Sequence, residues 1–274
     1  DLGRVPANPE FEFSERIRAI AGSHAKAFQT LSKHYGEDTF KEAHQSRKDD
    51  LLVYFALGLF GKRKAYRHMP DGLKRDMKTF FVTYPQAIEL ATELLFSIGN
   101  PINISKACEQ AHERLGCGEL IEGHSLTIHR SYLNQLPSIL RVYVGCAAQL
   151  YGDIEDIDLI KIHVTSGKVS LRRYDDFDDC ALPELVERIK IRLRDQEIDI
   201  FNYTGEYKPQ PLYIKSRYLK PDFPNYKNQL AFDNLLSSLD VCDLTGFGPN
   251  RDDFYRCLAL NNLRVIGYQL ERSN

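Results

Sequence analysis

The chain of 274 residues has no tryptophan, two methionines and no run approaching eighteen apolar residues. The missing apolar run argues against a transmembrane helix, which needs about 20 mostly apolar residues to cross the hydrocarbon core. The first residues, DLGRVPANPEFEF, lack the basic-then-apolar plan of a signal peptide. They also lack an initiator Met, as expected of a chain that is processed or cut from something longer. A cytoplasmic protein with no membrane partner is the expectation.

Cysteine is present but never as a CxxC pair: Cys108, Cys117, Cys146, Cys180, Cys242 and Cys257 are scattered. Short spacings pre-organise two metal donors, and their absence argues against a zinc site. Reduced thiols are expected, with Cys146 and Cys257 as small core hydrophobes. The motifs GxSxG, GxxxxGK[ST] and HExxH are absent as well, and the eight histidines have no ligand-like spacing. Neither a metal nor a cofactor is expected in this chain.

What is present is an ordinary globular composition, 43% hydrophobic and 27% charged, long enough for a full core. The net charge of −2 does not by itself point to nucleic acid, but the charge is uneven. GKRKAYRHMPDGLKRDMK (61–78) holds seven Lys/Arg against two Asp, a candidate phosphate patch formed by Lys62, Arg63, Lys64, Arg67, Lys74, Arg75 and Lys78. GDIEDID (152–158) and YDDFDD (174–179) are acidic.

The first half has helical spacing. Helices are expected over 13–35, 49–61, from Pro70 to Tyr84, from Pro85 to Ile98 and over 131–150, the last with Pro137 at a break or first turn. After residue 156 the period changes to two. Strands are expected at 157–164, 169–174, 189–194, 198–203 and 263–270, with helices at 225–239 and 251–261. The expected fold is α+β: a helical domain over 1–152, then an α+β domain over 153–274, whose hairpins build a mainly antiparallel sheet with flanking helices.

VCDLTGFGPN (241–250) has the outline of a nucleotide loop. Such a loop needs a doubly wound parallel sheet around it, whereas the strands upstream are paired as hairpins. Gly246 and Gly248 are therefore read as turn residues, with Asn250 capping the next helix. Asp175, Asp176, Asp178 and Asp179 are candidate Mg²⁺ ligands of a nuclease, with Glu206-Tyr207-Lys208 as an E-x-K element. Solvated turns are the simpler reading of both.

The positive signal is a face. On an antiparallel sheet Lys161, His163, Arg172, Lys190, Arg192 and Arg194 share one side. Ile160, Ile162, Val164, Val169, Leu171, Ile189, Ile191 and Leu193 take the other. One-sided sheets normally show a polar face to water, but here a single sign dominates. Lysine and arginine in that arrangement suit phosphate contacts with counterion release. Lys168, His129 and Arg130 join them as candidate nucleic-acid contacts.

Several segments carry a resemblance: DDLLVYFALGLFGKR, LKRDMKTFFVTYPQA, LLFSIGN, HRSYLNQLPSILRVYVGCAAQLYGD, LIKIHVTSGKVSLRRYDDFD and PLYIKSRYLKPDFPNY. From about residue 49 to the C-terminus, and more loosely before it, the chain resembles the DNA phosphorothioation-associated methyltransferases of bacteria. That family's glycine-rich cofactor motif lies in a separate N-terminal domain, which has no counterpart here. The resemblance implies a role in DNA modification or phage defence, not methyl transfer by this chain. S-adenosylmethionine would belong to the missing domain. Shared residue types include His129, Arg130, Arg141, Lys161, His163, Lys168, Tyr174, Asp176 and Asp178, none with a role that the resemblance assigns.

The leading expectation is a region that engages DNA or docks partners among other DNA-modification or defence proteins. Two alternatives stand beside it. One is an enzyme on DNA, a methyltransferase when complete or a Mg²⁺ nuclease using Asp175–Asp179. The other is a scaffold that buries a partner on Phe80, Phe81, Tyr84, Tyr143 and Tyr151.

Overall fold

The computed structural model describes residues 2–61, 66–205, 207–239 and 242–272. They form two compact units, 1–98 and 99–274.

The first unit is helical: α1 (Ser14–Ala21), α2 (His24–Tyr35), α3 (Glu37–Phe60), α4 (Asp71–Phe80) and α5 (Tyr84–Ser97). The single helix expected over 13–35 is two. Gly22, at φ +78°, ends the first, and the Ser23 side chain caps the second by accepting from the Lys26 N–H. The apolar stretch from residue 49 is the buried half of the longer α3, where Phe55 meets the rings of Phe81 and Tyr84.

Two cations of the basic patch are committed to ion pairs. Lys74 pairs with Asp71 and Arg75 with Glu10, while buried Asp76 takes Arg4 and Arg47 at 2.6 Å each. Lys62, Arg63 and Lys64 lie outside the described residues.

The second unit opens with α6 (Pro101–Leu115), capped by Asn100, whose side chain accepts from the Ile102 N–H. Then come β1 (Glu119–Ile121), β2 (Ser125–His129), a 3-10 turn (Arg130–Gln135) and α7 (Ser138–Tyr151) entered through Pro137. Four strands follow: β3 (Leu159–His163), β4 (Lys168–Tyr174), β5 (Leu185–Arg192) and β6 (Glu197–Asn202). The sheet is an antiparallel meander in the order β1 to β6. The fold is α+β, with the helical part first.

The division falls after Ile98, not near residue 152 as the change of period implied. The reason is the pairing of β2 with β3 along five residues, which ties the 119–151 segment to the sheet. All five residues of β2 are buried, so it lacks the alternation that marks a half-buried strand.

Leu126, Ile128, Ile160, Ile162, Val169, Leu171, Ile189 and Ile191 form one face of the sheet in register, and α6 and α7 pack on this sheet. Tyr143 of α7 donates its hydroxyl to the carbonyls of His163 and Lys168, anchoring the helix to the β3–β4 hairpin. Beyond β6 a 3-10 turn (Lys215–Tyr218), α8 (Tyr226–Ser238) and α9 (Arg251–Leu260) precede a hairpin, β7 (Leu263–Ile266) with β8 (Gln269–Arg272). The strand expected over 263–270 turns back at Gly267, φ +56°. Among the described residues no helix is long and apolar enough to cross a membrane.

Candidate functional site

The second face of the sheet carries the charges, and the register orders them in rows. Thr127, Lys161, Ser170, Lys190 and Asp199 form one row; His129, Leu159, Arg172, Arg188 and Phe201 form the next. A third joins Lys168, Arg192 and Glu197. Cations crowd the central strands β3–β5, and acids stand on the outer strands, Glu119 on β1 and Glu197 and Asp199 on β6.

The face therefore carries acids at its edges beside the cations that dominate its centre. Arg192 bonds both Glu197 (2.5 Å) and Asp199 (3.3 Å), because the strand that follows it returns acids to the same side. Arg172 is only 6% exposed and sits beneath Phe247. The His163 Nε2 meets the Ser170 hydroxyl at 3.1 Å, and burial with neighbouring cations pushes this imidazole down to about 4, so it is neutral near pH 7.

His129 is also removed from the surface. Its ring stacks on Phe177 and meets Tyr132 and Phe223 edge-on, and burial holds it at about 4. Arg130, beyond the end of β2, gives its backbone N–H to the Asp158 carbonyl, and its Nε has no hydrogen-bond partner among the described residues. Arg194 is exposed and reaches the Thr165 carbonyl from the β5–β6 turn.

Lys161, Lys168 and Lys190 differ from these. Among the described residues none of the three has an ion-pair partner; Lys190 lies over the Phe201 ring at 5.3 Å. Burial, then the neighbouring Arg172 charge, pushes the Lys161 ammonium below its ordinary value. Arg188, over Phe201 at 4.4 Å, belongs to the same face. It escaped the sequence reading because β5 begins at Leu185, earlier than the alternation from Ile189.

Part of this face is roofed. Leu159, Tyr174 and Leu185 pack with Leu212, Tyr218 and Leu219 from the segment after β6. Beside that cluster lies a cavity of about 150 Å³, lined by Lys161, Arg172, Arg217, Glu119, Tyr174, Tyr218, Gln210, Leu244, Gly246 and Phe247 among others. Arg217 pairs with Glu119 at 2.6 Å, and the Tyr218 hydroxyl donates to the same carboxylate at 3.3 Å. The Arg172 Nε has no hydrogen-bond partner among the described residues.

The roof's other wall is the glycine loop. Gly246 and Gly248 turn at φ +63° and +65°, and the Asn250 side chain accepts from the Asp253 N–H to start α9, the roles expected of them. Gln210 Nε2 donates to the Phe247 and Pro249 carbonyls, and Tyr213 donates its hydroxyl to Pro249. The loop thus holds Phe247 over Arg172.

The acidic run at 175–179 is a tethered turn. Asp175 accepts from the Glu184 N–H, Asp179 from Asn225, and the buried Lys215 ammonium donates to the Phe177 and Cys180 carbonyls at 2.6 and 2.7 Å. Among the described residues no three His, Cys, Asp or Glu side chains converge as metal ligands. Glu206 of the E-x-K element lies outside the described residues. No family model, curated protein or solved structure matches the chain.

Proposed function

We propose that this chain engages the phosphate backbone of DNA through the charged face of its six-stranded sheet, as a non-catalytic part of a prokaryotic DNA-modification or phage-defence system. One observation carries the reading: Lys161, Lys168 and Lys190 stand on three adjoining strands, and among the described residues none of them is in a salt bridge, although Asp199 lies opposite Lys190. Lysines so placed gain affinity by releasing the counterions condensed on DNA. The resemblance to the phosphorothioation-associated family supports the setting. The test is binding to plain and phosphorothioate-modified duplexes by wild type and Lys190→Glu. The reading expects weaker binding of both duplexes by the variant, and a preference for the modified duplex in wild type marks a modification sensor. Equal affinity of variant and wild type removes the face from DNA binding.

A second reading, partner docking, has its own support. On the outer strand β6, Ile198 and Ile200 continue the apolar face yet are 36% and 57% exposed. Salt-insensitive association with another protein, lost in Ile198→Ser/Ile200→Ser, is what that reading expects.

A further inference from the structure

We infer that the cavity beneath the 242–250 loop binds a single dianionic phosphate group, the phosphomonoester end of a nucleotide or of a nucleic-acid strand. The inference rests on the phosphate-engaging reading of this face and narrows it to one pocket and one kind of group.

Charge balance is the first argument. Glu119 is bonded to Arg217 and Tyr218, and it acts on Lys161 through space without a salt bridge. Lys161 and Arg172, diagonal neighbours on β3 and β4, then face the cavity as like charges with no salt bridge among the described residues, Arg172 bonding only the Tyr174 side chain. Burying charge without a partner is costly, and two such charges side by side cost more. A bound dianion relieves both, whereas a carboxylate relieves only one.

Hydrogen-bonding capacity is the second. Arg172 is more than nine-tenths buried and its Nε donor is unused, although a buried donor is nearly always satisfied. A phosphate oxygen is the acceptor that a guanidinium edge fits, and a lysine ammonium beside it supplies a point charge. Burial and Arg172 press on Lys161 to lose its proton, and an anion in the cavity reverses that pressure.

Size is the third. A cavity of about 150 Å³ is of the size that takes one benzene-sized molecule, which is room enough for one tetrahedral oxyanion with water. That space suits one phosphate group, presented most simply as an end. Phe247 is 55% exposed and covers Arg172 from a loop turned by two glycines, the position of a door.

The experiment titrates inorganic phosphate, a nucleoside monophosphate, and one oligonucleotide with a 5′-phosphate or a 5′-hydroxyl, against wild type, Lys161→Gln and Arg172→Gln. Thermal shift and ³¹P line broadening are the readouts. Lys161 is the surer variant because Arg172 is buried and its replacement can unfold the sheet. The expected result is stabilisation of wild type by phosphate, not by equal acetate, with at least tenfold weaker binding in Lys161→Gln. A tenfold preference for the 5′-phosphorylated strand over the 5′-hydroxyl strand assigns the site to strand ends; tight binding of the monophosphate alone assigns it to nucleotides. Wild type that ignores all the phosphate probes, or binds them no better than Lys161→Gln, overturns the inference. Duplex binding that survives such a result leaves the sheet-face reading standing, and phosphate binding without duplex binding leaves the cavity standing alone.

Discussion

Phe247 lies over Arg172, with the guanidinium carbon 5.1 Å from the ring centroid. The contact joins the loop to the one arginine of the charged face that is almost wholly buried. A cation–π contact at such a site contributes about 0.5–2 kcal/mol.

Phe247→Ala should therefore loosen the loop more than the fold. The expected outcome is a stability change of about 1 kcal/mol or less, with faster amide exchange confined to residues 242–250. Unchanged exchange in that segment means the ring does not hold the loop.

The two loop glycines should respond unequally to alanine. Both have positive φ, which costs an L-residue about 1–2 kcal/mol. A Cβ at Gly246 meets nothing within 4 Å, whereas one at Gly248 falls 2.6 Å from the Tyr213 ring. Gly248→Ala should lower the denaturation midpoint clearly more than Gly246→Ala, and equal midpoints contradict the close approach.

Lys215 should be structural. It is 1% exposed and closes the 176–180 turn through two carbonyls. Lys215→Met keeps the bulk and strips both donors, with an expected loss of about 1–3 kcal/mol in chemical denaturation. A neutral result places those carbonyls in other bonds.

Much of this was legible beforehand. Alternation at Ile160–Val164 and Ile189–Leu193 located β3 and β5, and Asn250 marked the start of α9. Two parts were not. Gly99-Asn100-Pro101, just past the helix expected to end at Ile98, is also the start of α6, because Asn100 caps it and Pro101 suits its first turn. The neutralisation of Arg192 depends on β6 folding back so that Glu197 and Asp199 land beside it, and that register is not visible in the alternation of β5 alone. The Lys161–Arg172 pair shares a cavity only because the residues of the 242–250 loop, some seventy or more positions later, cover it.

Stability should fall as pH drops from about 6.5 to 4. His129 and His163, held at about 4 by burial, stay neutral in the folded chain, while the unfolded chain protonates them from about 6.5. Their contribution is therefore whole above 6.5 and lost on the way to 4. Asp158, pushed up to about 6 by burial, runs the other way: the folded chain takes its proton first, which favours folding as pH falls below 6. Glu184 and Asp233, also raised by burial but by less, act in the same sense as Asp158, and the two histidine shifts are the larger. Denaturation midpoints at pH 7, 6 and 5 check this, and His163→Gln should flatten the decline while Asp158→Asn steepens it. A midpoint that rises steadily toward pH 5 contradicts the sign.

Phosphate engagement by Lys161, Lys168 and Lys190 is tested by the salt dependence of duplex binding. The account predicts that log affinity falls linearly with log salt, by about 0.9 for each phosphate neutralised. Charge reversal of Lys161, Lys168 or Lys190 should each lower that slope by about one, while Lys74→Glu, at a lysine already paired with Asp71, leaves it alone. A duplex affinity independent of salt, or a slope unmoved by all three lysine reversals, contradicts the account.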